Sequence, residues 1–533
     1  MVSVLEHCHR GVPCRVPLLR ETRSGSLGRL CGPGGNYVTL AQTLFFLGLY
    51  SLILFGIGIV ANRRSLGETQ EDYFVASRTF GLFVLFFTYE ATLFSMWFFL
   101  GTGGFWYTHG VGFYCHVLWM TMSGVILYWV GTRLWLVGKR WGFVTPADLL
   151  AHRYNSEAIR VVTAVVGIGF VFPYLLLQIV GAGRLLGAAA GLEMWQGAGL
   201  MMLVVVTYTL LGGGRAVAWT DAFQGCLFFS VIWFIAIWAL TCVGGGWTAM
   251  WDRLVADSPQ HLTLPGPKGE FTPLWWFSFW FVQGTAMAMP GVWMRVYSAR
   301  NATVLRQTAA LVPLAGAIGY LATLLYAFSA TPHFPGLVGP EADKLLPLML
   351  NRFHPEWTIP LVVAAFAAGM STADSQLLAG SAMITGDLYK RYVVRGASER
   401  HLVWVGRGFV VFFTLLTWFV GSFFDLPLIV RLGIMAYAGT SNLIVPLIGA
   451  LFWPRATARG ALSGLLTGVL LFLLLDPKTS PFFSTNPLPV DPGFVGLVCN
   501  AVVFVAVSLC TRHRSGERHE EYRSYLKQAY EQS

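Results

Sequence analysis

About thirteen runs of mostly apolar residues, each long enough to cross a hydrocarbon core as a helix, recur along these 533 residues. A spanning helix needs about 20 such residues. In lipid every backbone N–H and C=O must be satisfied within the chain, so only helices and closed barrels can span. Barrel strands alternate apolar and polar residues over about ten positions, whereas these runs are continuous, as in FGLFVLFFTYEATLFSMWFFLGTGG at 80–104. The chain reads as an all-α membrane protein. Its charged fraction of 12%, about half that of a soluble domain, agrees.

Lysine and arginine crowd alternate loops. Arg63, Arg64 and Arg78 precede the second run, Lys139, Arg140, Arg153 and Arg160 the fourth, and Arg295, Arg300 and Arg306 the eighth. Lys390, Arg391, Arg455, Arg459 and the C-terminal tail follow on the same side. The opposite loops hold Arg253, Lys268, Lys344, Arg352 and Lys478. Positive residues stay cytoplasmic, so the C-terminus is expected inside and, with an odd number of spans, the N-terminus outside, in the plasma (inner) membrane. The net charge of +10 is this topological signal. No basic stretch interleaved with aromatic residues points to nucleic acid. Residues 1–38, with Arg10, Arg15, Arg20, Arg23 and Arg29, run against the pattern and lack the apolar stretch of a secretory signal. They read as an N-terminal extension, transit-like or upstream of the true start, outside the fold. The scattered cysteines form no C-x-x-C pair and read as small packing residues.

Three stretches interrupt the apolar pattern. In 80–104, Glu90 lies at mid-span beside Thr88 and Thr92. In 273–295, Gln283, Gly284, Pro290 and Gly291 break a Trp/Phe-rich helix. FAAGMSTADSQLLAGSAMITGDLYK, 366–390, places small and hydroxyl residues in the bilayer. Broken helices at matching places in two halves point to a transporter site. The first two stretches open blocks of about five spans each, 80–243 and 273–453; an odd number of spans inverts the second block relative to the first. A pre-core helix, 39–61, precedes the blocks, and two helices, 461–509, and a tail, 510–533, follow.

At these residues the chain resembles the sodium:solute symporter family, from about Glu71 to Gly468. DYFVASR (72–78), QIVGAGRLLG (178–187), GGGRAVAWTDAFQ (212–224), STADSQLLAGSAMITGDLYKRY (371–392) and LFWPRATARGALSGLLTG (451–468) match its motifs in order. The resemblance implies a leucine-transporter-like 5+5 inverted-repeat core with one helix before it and two after. It implies a co-transported sodium ion between core helices 1 and 8, held by the carbonyls of Ala91, Phe94 and Ala368 and the hydroxyls of Ser371 and Thr372, with Asp221 on the ion's route to the cytoplasm. Asp221 alone also reads as a helix-start carboxylate facing the dipole.

The family's proline transporters carry an aspartate where this chain has Leu93, and aromatic contacts where it has Val282 and Ala286. The polar contacts of the sugar transporters have no counterpart. Instead there are Glu90, Asp374 and Arg431, with Gln178 and Gln283 as further substrate or coupling candidates. Ionisable residues at bilayer depth cost about 2.5–3.5 kcal/mol on insertion scales, so they need a partner or a cavity. Arg431 either snorkels to the outer interface or, facing the cavity, suits a carboxylate. The expectation is sodium-coupled symport, with no covalent chemistry, of a small organic anion such as a monocarboxylate or pantothenate-like acid. An amino acid or a sugar is the alternative solute. A transporter-like sensor is the alternative class, with no kinase or PAS-like segment after Leu509 to support it. His116, alone in a span, reads as a packing residue.

Overall fold

The computed structural model describes residues 39–64, 69–264, 266–267, 272–424, 429–477, 479–511 and 516–531. The 1–38 extension, Lys268 and Lys478 lie outside them. Among the described residues, ten helices are long and apolar enough to cross a membrane, or eleven with a pair bent by 62° taken as one. They are α1 (Leu40–Arg63), α2 (the bent pair, Leu82–Leu93 and Trp97–Phe113), α3 (Trp119–Trp141), α4 (Glu157–Gly187) and α5 (Met194–Val243). After the shorter, broken α6 (Pro273–Gly284 and Pro290–Tyr297) come α7 (Ala302–His333), α8 (Pro355–Val393) and α9 (Glu399–Phe423). The last are α10 (Arg431–Phe452), α11 (Ala458–Leu475) and α12 (Pro492–Cys510). A tail helix, α13 (Gly516–Glu531), follows.

The sequence separates 198–211 from 222–243, but both lie in the 50-residue α5. At 1.5 Å per residue its length is over twice a hydrocarbon core. The chain kinks at Gly213 (φ 52°, ψ −144°), a backbone region that belongs to glycine. A Cβ there would lie 2.5 Å from the Tyr73 carbonyl oxygen. Two motifs thus meet: the glycines of GGGRAVAWTDAFQ pack on the short helix Gln70–Val75 of DYFVASR. Arg215 seals the contact, pairing with Asp72 at 2.9 Å and bonding the Arg64 carbonyl.

Ala76, Ser77 and Arg78 follow with φ of 50°, 51° and 56°, left-handed backbone that side-chain-bearing residues avoid by about 1–2 kcal/mol each. The buried Arg78 guanidinium anchors the turn, bonding the Phe143 carbonyl at 2.7 Å, the Tyr297 carbonyl at 3.2 Å and Glu71 at 2.9 Å. One residue past Thr79, Phe80 forms a two-bond bridge across Ala299, with Phe80 N donating to the Ser298 carbonyl (3.1 Å) and Arg300 N to the Phe80 carbonyl (2.9 Å). The start of α2 is therefore tied to the end of α6.

The break in α2 lies at Phe94–Met96, about one turn beyond the mid-span Glu90. Phe94 is extended (φ −83°, ψ 98°). Its amide still reaches the Glu90 carbonyl at 2.8 Å. The Met96 amide is met by the Gln178 side-chain oxygen (3.0 Å), and the Trp97 amide by the Ser95 hydroxyl (3.2 Å). Unwound backbone survives at this depth because protein groups replace the lost helical bonds. In α6 the break falls at 285–289, and Pro290 opens the second half, where its missing N–H costs no bond. Cys242 departs from the packing reading of the cysteines, because it is disulfide-bonded. The tail 510–533 is more than a charged end: α13 buries Tyr522 against Trp141 and His152, ring centroids 4.5 and 5.7 Å away.

Candidate sodium site and solute chamber

Where the unwound end of α2 meets α8, four of the five predicted ion ligands converge. The Ser371 hydroxyl donates to the carbonyls of Ala91 and Ala368, both at 3.1 Å. The Thr372 hydroxyl reaches the same two at 3.1 and 3.2 Å. All four residues are fully buried. The donor set is oxygen only, which suits a hard cation, and both hydroxyls can turn their protons away and offer lone pairs. Phe94 supplies extended backbone three residues past Ala91, while its ring packs on Phe98 and Phe229 at 4.4 and 5.2 Å.

One turn further along α8 lies a second polar layer. The Ser375 hydroxyl donates to the Ser371 carbonyl (3.0 Å), lies 3.0 Å from the Thr92 hydroxyl and accepts from Arg295 at 2.5 Å. Arg295 also pairs with Asp221 (3.4 Å), and Thr88 donates to Asp221 (2.5 Å). Asp374 accepts from the Tyr208 hydroxyl (2.6 Å). Asp221 is interior to α5, two turns past the Gly213 kink, so the helix-start reading of its carboxylate does not hold. Oδ1 of Asp221, Oδ1 of Asp374 and Nε of Arg295 lack protein partners. The layer, two carboxyls and one guanidinium, leads from the ion ligands toward the Arg78 turn. Arg295 looks like a loop charge in the sequence, and Ser375 and Tyr208 carry no signal; only the packing joins them.

The other candidates divide. Glu90 is buried beside Ala91, with neither side-chain oxygen partnered. Gln178 supports the α2 break, its amide nitrogen donating to the Tyr174 carbonyl at 3.0 Å. Gln283 lines a small chamber on the other side of the break, together with Ser95, Trp97, His116, Trp119, Tyr174, Phe279 and Tyr437. The chamber's free volume is about 20 Å³, room for about one water. No charged side chain is among its lining residues. Above it opens a vestibule of about 630 Å³ that shares Ile434 with the chamber and is lined by Arg431, Asp343, Asp476 and Asp491. Arg431 is exposed there, one helical turn from Ile434, so it faces the vestibule rather than the chamber. Burial pushes the Asp343 carboxyl up to about 7, against the pull of the Arg184 charge.

This geometry has relatives. The chain matches the sodium:solute symporter family over residues 73–468. It is similar to the sodium/pantothenate symporter of Escherichia coli (strain K12), 27% identical over 84% of this chain and 93% of that one. It is likewise similar to the sodium/proline symporter of Staphylococcus aureus (strain JH9), 26% identical over 88% and 93%. Among solved structures, a substrate-bound, outward-open sodium-coupled sialic acid symporter matches with a TM-score of 0.75 at 15% identity, over 89% of this chain and 98% of that one. A nucleobase-cation-symport-1 family transporter in a closed conformation matches at 0.52, over 84% and 98%. The all-helical, leucine-transporter-like architecture is common to them. With its motifs in order, its core helices broken in α2 and α6 and an oxygen-lined contact between α2 and α8, this chain belongs to the sodium:solute symporter family, a sodium-coupled solute transporter and not an enzyme.

Proposed function

We propose that this transporter imports a small organic anion, such as a monocarboxylate or a pantothenate-like acid, together with a sodium ion seated on Ala91, Phe94, Ala368, Ser371 and Thr372. The observation that carries the ion site is the convergence of two hydroxyls on two carbonyls within 3.2 Å. The ion leaves past Asp221, and Glu90 adds negative potential beside Ala91. Solute binds between the two breaks once the chamber widens beyond the one-water space it has here, and Arg431 draws its carboxylate into the vestibule. Leu93, Val282 and Ala286 stand where the proline pattern has its contacts, which argues against proline. The uncharged chamber wall keeps a second reading, a zwitterionic amino acid, in view. A monoanion entering with one sodium ion moves no net charge, so the sodium concentration gradient drives that pair; with a zwitterion the sodium charge adds about 2.3 kcal/mol per 100 mV, and coupling requires that ion and solute together favour a state that neither favours alone.

The test of the ion site is sodium-dependent uptake by proteoliposomes. Ser371→Ala and Thr372→Ala should each raise half-saturating sodium about tenfold, since a contact to a charged group is worth roughly 1.5–3 kcal/mol. Unchanged sodium dependence with uptake intact would remove the site.

The proposed topology has thirteen crossings, α5 counted twice, with the N-terminus outside and the C-terminus in the cytoplasm. In support, the arginine-rich loops meet at one end of the bundle, where Arg78 reaches Phe143 and Tyr297, Arg160 reaches Asp387 and Arg518 reaches the His152 carbonyl. An impermeant thiol reagent applied outside should label Pro259→Cys and spare Ser524→Cys. The reverse pattern would invert the topology.

A further inference from the structure

His116 sits on the chamber wall in an arrangement that leaves one atom free. Its ring lies between Phe113 and Phe279, centroids 5.0 and 5.1 Å away and planes 16° and 29° apart. Trp97 abuts it at 4.8 Å. Held this way, the ring cannot turn to seek other partners. Its Nε2 lies 3.4 Å from the Tyr320 hydroxyl, and Tyr320 is not a chamber residue. That hydroxyl oxygen already accepts the indole N–H of Trp119 at 3.2 Å, and it can give its own hydrogen to His116 Nε2, one of the two tautomers this contact admits. A neutral imidazole that accepts at Nε2 carries its proton on Nδ1. Nδ1 is buried and has no protein partner, although an unmet buried donor is unfavourable. His116 as a whole is 1% exposed.

We propose that the Nδ1–H of His116 is the chamber's solute-reading donor, and that it selects solutes presenting an oxygen acceptor there, a carboxylate or an amide carbonyl. The inference rests on the chamber being the solute site. An ammonium group would meet donor against donor at this position, so a cationic end is refused. Tyr320 and Trp119 are positioning residues: they fix the tautomer and leave the donor edge to the chamber. Gln283, also on the wall and with an amide, supplies a second polar contact for the same solute.

The experiment uses three variants of the full chain in proteoliposomes, with labelled pantothenate and labelled proline as probes under a sodium gradient. His116→Phe keeps the stacked ring and removes the donor. His116→Asn keeps an amide N–H close to the Nδ1 position, and His116→Gln moves it toward Nε2. For a transported probe, His116→Phe and His116→Gln should raise KM about tenfold, the scale of one net hydrogen bond. Half-saturating sodium should move less than about twofold, and His116→Asn should restore KM to within about threefold. A sodium-induced change in tryptophan fluorescence, kept in every variant, shows that the fold survives. Wild-type KM in His116→Phe, or equal losses in Phe and Asn variants, overturns the proposal. Wild-type protein that takes up proline and refuses pantothenate overturns the organic-anion reading while the variant series still tests His116. Wild-type protein that takes up neither overturns both.

Discussion

The two ends of the core are closed by different chemistry. At the arginine-rich end the contacts are charged and directional: Arg78 on two carbonyls and Glu71, Arg215 on Asp72, Arg160 on Asp148 and Asp387, and the Phe80–Ala299 bridge. At the vestibule end the wall is a stack of rings, with Trp97 on Phe105 at 6.4 Å, Phe105 on Phe113 at 5.2 Å and Trp275 on Phe279 at 5.0 Å. Hydrogen-bonded ion pairs hold one geometry and fail together when it is lost, whereas apolar ring contacts tolerate sliding. The charged end is therefore held by directional contacts, and the ring end by non-directional ones. A vestibule of about 630 Å³ lies over the ring end, and a cavity of about 710 Å³ lined by Glu71, Phe143, Asp148 and Arg160 lies at the charged end.

The largest effect is expected from Arg78→Ala. It orphans two carbonyls, at about 1–3 kcal/mol each where they are buried, leaves the half-exposed Glu71 to water, and frees a left-handed turn. Hydrogen exchange at the Phe80 and Arg300 amides should speed up by at least about a hundredfold, with uptake reduced. Unchanged exchange would mean that the charged contacts do not hold that end, and the contrast between the two ends would collapse.

Glu90→Gln probes the middle of the molecule. Both side-chain oxygens lack partners, so the change breaks no protein hydrogen bond and removes only charge near Ala91. At an effective dielectric of about 20 the attraction to an ion about 8 Å away is about 2 kcal/mol, partly offset by the cost of keeping a buried carboxyl ionised. Half-saturating sodium should rise about fivefold and solute KM less. Equal shifts in both constants would deny Glu90 its preference for the ion.

The smallest effect belongs to Arg431→Ala. An exposed charge on a wide vestibule acts through a screened field, so KM for an anionic solute should rise only about twofold at 0.15 M salt and more at 0.01 M. The buried fork contact that the sequence left open for Arg431 would give a larger, salt-insensitive loss. No change at either salt concentration leaves Arg431 an interfacial anchor and removes the vestibule's part in anion capture.

Much of this molecule is legible in one dimension, for stated reasons. Lipid forbids unpaired backbone, so apolar run length marked the long helices, though it divided α5 in two. Loop charge sorted the loops that meet around Arg78, and the motif STADSQ named Ser371 and Thr372 because hydroxyls of this kind must be written into the helix that carries them. What lay beyond reach are residues whose meaning depends on a neighbour far away in the chain. Gln178 meets Met96 across 82 positions, Arg295 meets Ser375 across 80, and Tyr320 meets His116 across 204. Arg295 and Arg215 read as topological charges until burial pairs them with Asp221 and Asp72. His116 reads as packing until the helices close around it and leave Nδ1 unmet. The sequence by itself determined which segments are apolar enough to span and which residue types could hold an ion. The tertiary structure alone decided which polar atoms are satisfied within the protein and which are left for a ligand, because hydrogen-bond satisfaction is a property of pairs brought together by packing.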